Sequence, residues 1–212
     1  MSKIFQSMAV SVLVLGGLVG CDYESRAAAD ANPARVAEIK KDFRDLWLGH
    51  IYWVQHAVLI SATKSPAERD TAKKEVDANT KQIANMILPF YGETVSQKFS
   101  NLLDINIGAV REYSEATVAG DKSRQDAALA RLASNSEDFG VFLSEVSPYL
   151  EQDTVRGLIA AHGAHHVLQI NQNKSKNYAH LGATWPMMRQ HVYVIADTLT
   201  TALAKQFPSK FS

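Results

Sequence analysis

The sequence predicts an all-α protein: an up-down antiparallel helical bundle of about six helices, built from three αα-hairpin repeats with a period of 56 in residue number. Two observations predict this fold. From residue 35 onward, apolar residues recur at i, i+3, i+4 and i+7, which is the spacing of one face of an α-helix. Polar and apolar residues also recur together at the constant interval of the repeat, as expected for one hairpin used three times.

The repeat is clearest in two polar series whose members are separated by this constant interval. The first series is His50, Asn106 and His162, and the second is Asn79, Asn135 and His191. Four apolar columns keep the same spacing: Leu46/Leu102/Leu158, Trp47/Leu103/Ile159, Ile83/Phe139/Ile195 and Ile87/Leu143/Leu199. We therefore expect a His or Asn at the same height in all six helical arms.

Capping residues divide the chain into helices. Ser65 to Glu68 forms a capping box with proline at the first helical position, and Asp121 and Asn177 place N-cap residue types in the same repeat column. Turns between hairpins are predicted at Gly92 and Pro148. The predicted helices are 35–63, 66–90, 93–119, 122–147, 151–173 and 177–206.

The N-terminus is similar to a bacterial lipoprotein signal peptide, which we assign to residues 1–20. Its apolar stretch from Met8 to Val19 is too short to span a bilayer, which takes about 20 helical residues. Cys21, the only cysteine, follows directly. We expect its thiol to be diacylated, with chains such as palmitate, and the polypeptide to be cut before it, so that the acyl chains anchor the protein to the membrane. An ordinary signal peptide and a signal anchor are the alternatives.

The remaining organisation is a short tether and one domain. Residues 21–34 are the lipidated cysteine and a flexible tether, and residues 35–212 are the bundle. We expect the domain to lie in the cell envelope, facing the periplasm or outer side. Asp22 is similar to the residue that retains lipoproteins in the inner membrane of enteric-type bacteria, which slightly favours that membrane. The formal net charge is zero, with 22 basic and 22 acidic residues, which argues against a dedicated nucleic-acid binder. The sequence gives no indication of which protein partner, if any, the domain binds.

The polar positions form one predicted layer. His50 and Asn79 each lie about 14 residues from the turn near 64–65, so at 1.5 Å per residue they occupy one level of two antiparallel helices. The same holds for the other two pairs, and apolar neighbours indicate that the layer faces inward. If the hairpins close into a ring, helix 6 lies beside helix 1. His50, His162 and His191 would then come from neighbouring helices.

Three converging imidazoles could hold a divalent transition metal with an open coordination position. His166 is a further candidate ligand, because it follows His162 by one helical turn, and Asp138 could orient a ligand from outside the first shell. A hydrogen-bonded layer that fixes helix register and a site for a small polar ligand are the alternatives. The sequence contains no nucleophile elbow, phosphate loop, CxxC pair or H-E-x-x-H motif. We therefore expect binding or structural support rather than catalysis, with a metal-dependent enzyme as a third alternative.

Three segments together resemble a family of small bacterial helical proteins with no established activity. They are the LWLGHIYW run at 46–53, the PFYG run at 89–92 and the QFPSKF run at 206–211. Members of that family carry an LWxxHxxW opening and a closing QFPxKF motif. The resemblance spans roughly residues 42–211 and implies an all-helical fold. It matches His50, Asn79, His162, His191 and Asp197, whereas the family tends to have His where this chain has Asn106.

Overall fold

The computed structural model describes residues 30–60 and 65–212, and it is helical nearly throughout. The elements in chain order are α1 (Pro33–Ile60), α2 (Pro66–Tyr91), α3 (Glu93–Ala119), α4 (Lys122–Val146), α5 (Gln152–Lys174), α6 (Tyr178–Gln206) and a 3₁₀ turn η1 (Pro208–Phe211). The described part of the chain contains no strand, and its helices pack as a bundle. The predicted fold class is confirmed.

The folded domain begins slightly earlier than the sequence predicts. Helix α1 starts at Pro33, and the backbone N–H of Ala34 donates to Oδ1 of Asn32 at 3.0 Å. The N–H of Asn32 in turn donates to the carbonyl of Phe211 at 3.1 Å. Residues 32–34, assigned above to the tether, therefore belong to the bundle. The predicted signal peptide, Cys21 and most of the tether lie outside the described residues.

The three predicted N-caps form the same hydrogen bond in each repeat. Ser65, Asp121 and Asn177 each accept from the backbone N–H three residues later, at 3.3, 3.0 and 3.4 Å. These bonds satisfy one of the N–H groups that a helix start leaves without an intrahelical partner. The start of the second arm is thus built identically in all three hairpins.

The six helices close into a ring. Each helix contacts the next, α6 returns to contact α1, and the first arms α1, α3 and α5 also contact one another across the interior. The guanidinium of Arg44 on α1 joins the carboxylate of Asp197 on α6 through two bonds, of 2.7 and 2.5 Å. No helix in the described residues combines the length and apolar character needed to cross a membrane.

The polar layer divides the apolar core into two clusters. The larger contains Phe43, Trp47 and Phe139, and the smaller contains Val110 and Leu132. On each of the helices α1 to α5, the layer residue lies between a residue of one cluster and a residue of the other. Both sides of the layer are consequently shielded from water by apolar side chains.

One hydrogen bond recurs in the layer of all three hairpins. The side chain on the second arm donates to a leucine carbonyl on the first arm: Asn79 to Leu46 at 3.0 Å, Asn135 to Leu102 at 3.0 Å, and His191 to Leu158 at 2.9 Å. Donor and acceptor are 33 residues apart in each case. A helical carbonyl has a second lone pair, so it accepts this bond beside its own helical one. Each bond therefore fixes the height of one arm against the other.

These repeated bonds make a testable prediction about stability. Asn135→Ala removes the bond to Leu102 and also leaves the Nδ2 of Asn106 without the Asn135 Oδ1 that it now contacts at 2.8 Å. We expect it to lower the free energy of unfolding by about 2–4 kcal/mol in a denaturant titration.

The matched control is His191→Asn, which installs the residue that the other two repeats use in this column. It keeps a donor for the carbonyl of Leu158, so we expect a change within about 0.5 kcal/mol. A neutral Asn135→Ala variant, or a His191→Asn variant as unstable as Asn135→Ala, would show that these bonds do not set the register.

Candidate metal centre

Three buried histidines converge inside the layer. His50 from α1 and His162 and His166 from α5 each present a ring nitrogen, and these three atoms all lie within 4.8 Å of one another. The exposed fractions of the three residues are 2, 2 and 1 %. We call this group the His triad. Its members come from the first and third hairpins, which are neighbours because the ring is closed.

The closest pair in the triad has the separation that a tetrahedral metal ion requires. The Nε2 atoms of His162 and His166 are 3.3 Å apart. With metal–nitrogen bonds of about 2.0–2.1 Å, two ligands of a tetrahedral ion lie about 3.3–3.4 Å apart. Helical spacing of i and i+4 brings the two rings together on one face of α5. One of these two nitrogens donates a hydrogen bond to the other, and the ring tautomers decide which one donates.

Trp47 covers the triad from the side of the larger apolar cluster. Its ring lies edge to face with His50 at 5.5 Å and with His162 at 5.7 Å between centroids. Trp47 is 1 % exposed, whereas Trp53 and Trp185 are only partly buried. The triad therefore sits against an apolar wall that excludes water.

The buried polar atoms without partners gather around the triad. In the described part of the chain, six buried side-chain atoms have no hydrogen-bond partner within the protein: Trp47 Nε1, His50 Nδ1, Asn79 Oδ1, His162 Nδ1, His166 Nδ1 and Gln169 Nε2. Each belongs to the triad, to the polar layer, or to a residue that contacts the triad or follows it by one turn. Buried polar groups normally find partners, so this concentration marks the place as unusual.

Burial keeps the triad neutral. It lowers the pKa of His50 from 6.5 to about 4, and the side chain of Asn79 partly opposes this shift. The Oδ1 atom of Asn79 has no hydrogen-bond partner of its own. Burial, followed by the neighbouring imidazoles, lowers the pKa of His162 and of His166 well below 6.5. The charged forms of these rings are therefore disfavoured at neutral pH, and each ring retains a lone pair that can bind a metal.

The internal repeat shows that His166 is not required by the fold. One and two repeats earlier, the same column holds Val110 and Val54, and both are buried in the smaller apolar cluster. A valine in this column thus packs well twice in the same protein. The third hairpin replaces it with a buried imidazole. This departure from the repeat was readable in the sequence, and it distinguishes His166 from the layer residues that share a column with asparagine.

The remaining predicted residues surround the triad rather than complete it. His191 stacks on His162 at 6.2 Å between centroids, but its Nε2 is occupied by the carbonyl of Leu158. Asn106 and Asn135 bond to each other at 2.8 Å. Asp138 is exposed on α4, and the neighbours whose electrostatic effect lowers the pKa of His162 and of His166 are other imidazoles. Asp138, which was predicted to orient a metal ligand, thus makes no described contact with the triad.

No protein-family model, no curated protein and no solved structure matches the chain. The family resemblance described above therefore stays a prediction.

The lowered pKa values predict loss of stability in acid. In the unfolded chain an imidazole has a pKa near 6.5, so it gains a proton as the pH falls below that value while the folded triad does not. Each ring then costs about 1.4 kcal/mol of unfolding free energy per pH unit, until the pH reaches its folded pKa of about 4 for His50. We expect denaturant midpoints of the metal-free protein to fall steeply between pH 6.5 and 5. A midpoint that is constant over this range would contradict the neutral triad.

Proposed function

We propose that this protein is a lipid-anchored protein of the bacterial cell envelope that binds a transition metal ion at His50, His162 and His166. The observation that carries this proposal is the buried His166, which stands where the two other repeats have valine and meets the two other imidazoles. Neither helix packing nor helix register accounts for it.

The energetic argument follows from burial. A buried polar group that lacks a partner costs about 1–3 kcal/mol, and the triad collects several such groups in one place. A metal ion offers each ring a coordination bond, which replaces the single N–H···N contact between His162 and His166. An ion held by Nε2 of His162 and of His166 would leave their Nδ1 atoms without partners. The coordination bonds themselves would therefore offset the cost of burying the imidazoles.

The donor set favours copper and zinc among biological metals. Imidazole nitrogen suits copper, zinc, nickel and iron, and affinities for the divalent ions rise toward copper. The rings are neutral, so binding requires little proton release. No carboxylate contributes to the pKa shifts of the three rings. A buried charge costs less when it is small, and this favours monovalent copper or a divalent ion that brings its own anion.

Asn79 is placed to orient His50. The Nδ1 of His50 and the Oδ1 of Asn79 are both buried and without partners, and one can donate where the other accepts. A hydrogen bond between them would hold the proton on Nδ1 and leave Nε2 as the metal ligand, as second-shell partners of metal-binding histidines commonly do. The second repeat already makes the corresponding bond, between Asn106 and Asn135.

A second candidate function is a purely structural or protein-interaction module whose polar layer sets helix register. The three bonds to leucine carbonyls favour it. They explain the column of Asn79, Asn135 and His191, and His191 here acts as the two asparagines do. They do not explain His166, which makes no such bond, and the two functions are compatible within one layer.

Metal binding can be tested with the full chain purified in detergent and stripped with a chelator. We expect about one equivalent of copper or zinc to bind in a titration followed by elemental analysis, and the bound ion to raise the melting temperature. His166→Val should abolish tight binding at the triad, because it removes one of the three ligands. It should also leave the metal-free fold as stable as before, or more stable by about 1–2 kcal/mol, because it removes a buried imidazole.

Two further variants separate the metal site from the structural alternative. His162→Asn installs the residue that the second repeat has in this column, so it keeps a polar group and removes a ligand. His56→Ala alters an exposed histidine of α1 and is the control that should bind normally. Absence of bound copper, zinc, nickel and iron from the unaltered chain, with no thermal shift, would falsify the metal proposal.

The anchor is tested separately from the metal site. In a bacterial host, we expect labelled fatty acid to be incorporated into the unaltered chain and not into Cys21→Ala, because the thiol is the acylation site. Mass spectrometry of the mature N-terminal peptide should find an acylated cysteine as its first residue. A mature chain without acyl groups, or one cleaved at another residue, would contradict the lipoprotein assignment.

A further inference from the structure

Two more histidines lie between the His triad and the surface. The rings of His165 on α5 and His191 on α6 are 5.2 Å apart, and both residues are partly exposed. The ring of His191 then stacks on that of the buried His162, at 6.2 Å and an interplanar angle of 17°. The imidazoles thus form a continuous series from partly exposed residues to the fully buried triad. We call His165 and His191 the outer pair.

The hydrogen bond of His191 fixes where its lone pair lies. Its Nε2 donates to the carbonyl of Leu158, so the proton of the neutral ring is on Nε2 and the lone pair is on Nδ1. In the two other repeats Asn79 and Asn135 make the same bond to a leucine carbonyl. Asparagine therefore satisfies the structural need of this column, and histidine adds a nitrogen that can bind a metal.

His165 is likewise a departure from the repeat. The same column holds Ala109 in the second hairpin and Trp53 in the first, so a methyl group is enough for this position to pack. In these two columns the first and second repeats carry apolar or amide residues. Histidine occurs in both columns of the third hairpin, formed by α5 and α6.

We propose that the outer pair is a second metal-binding site, which takes a metal ion from solution and passes it to the His triad. The proposal rests on the metal function proposed above. Transfer is a ligand exchange: a bond from the ion to His162 forms as the bond to an outer imidazole breaks, followed by bonds to His166 and His50. No electron is transferred, and the two outer rings regain their lone pairs when the ion leaves.

The geometry explains why such a step is useful. The ligands of the triad are at most 2 % exposed, so an ion cannot reach them while it keeps its full shell of water. Removing that shell in one step would be costly, because ions are strongly hydrated. Imidazoles that replace water one at a time lower this barrier. A two-nitrogen site on the outside also binds more weakly than three nitrogens inside, which directs the ion inward.

The test measures rates and affinity together, with Cu²⁺ as the probe and the full chain in detergent. Cu²⁺ quenches tryptophan fluorescence, and Trp47 lies against the triad, so rapid mixing can follow arrival of the ion. The variant is His165→Ala with His191→Asn, in which both replacements are residues that other repeats carry in the same columns. Circular dichroism and melting curves check its fold, and the two single variants serve if the double one is unstable.

We expect the double variant to take up and release Cu²⁺ about tenfold more slowly, with a Kd at the triad within about threefold of the unaltered chain. Removal of an intermediate site should slow uptake and release by the same factor and leave Kd unchanged, because the free and fully bound states stay the same. His56→Ala should keep the original rates. In His166→Val, we expect fast and weak Cu²⁺ binding at the outer pair alone.

Three results would overturn the proposal. Uptake at the original rate in the double variant would show that ions reach the triad by another route, while the metal function itself would stand. A large loss of affinity with little change in the association rate would make the outer pair part of the final site. Absence of fast weak binding in His166→Val would show that the outer pair does not hold an ion. If the unaltered chain binds no Cu²⁺, the proposed function fails first.

Discussion

The bond from a side chain of the second arm to a leucine carbonyl of the first arm is the constraint on which the bundle depends. It occurs three times at one height, and its two partners are always 33 residues apart. A helix can slide along its neighbour by a turn with little change in apolar contact, but not without breaking a buried hydrogen bond. Because all three hairpins are fixed in the same way, their layers meet at one level when the ring closes. His50 of the first hairpin can then face His162 of the third.

The two apolar clusters give this layer its chemistry. They lie above and below it, so the imidazoles of the triad are removed from water on both sides and stay neutral at pH 7. The same low-dielectric setting that suppresses protonation strengthens any bond to a metal and raises the cost of leaving ring nitrogens unpaired. The stability of the layer and its proposed function therefore have one physical cause. The residues that hold the register are amides in two hairpins, and the imidazoles are concentrated in the third.

Much of this arrangement follows from the sequence alone. Helix limits are local properties, so the caps at Ser65, Asp121 and Asn177 could be identified from residue type and spacing. Heights in the layer follow from counting residues along rigid helices. The membership of the triad does not, because it depends on how each helix is rotated about its own axis. The rotation of α6 turns Nε2 of His191 to a carbonyl, while the inner position of α5 brings both His162 and His166 to the interior.

The folded domain begins and ends at the same point of the ring, where the N–H of Asn32 meets the carbonyl of Phe211. Other neighbouring helices in the ring are consecutive in the chain, but α6 and α1 are not. The first and last hairpins are therefore held together only by non-covalent contacts, such as the bonds between Arg44 and Asp197. His50 and His162 belong to these two hairpins and are separated by two full repeats of the sequence. An ion shared by them would act as a cross-link between the two hairpins. Closing a loop of that length permanently would remove about 4–5 kcal/mol of conformational entropy from the unfolded chain.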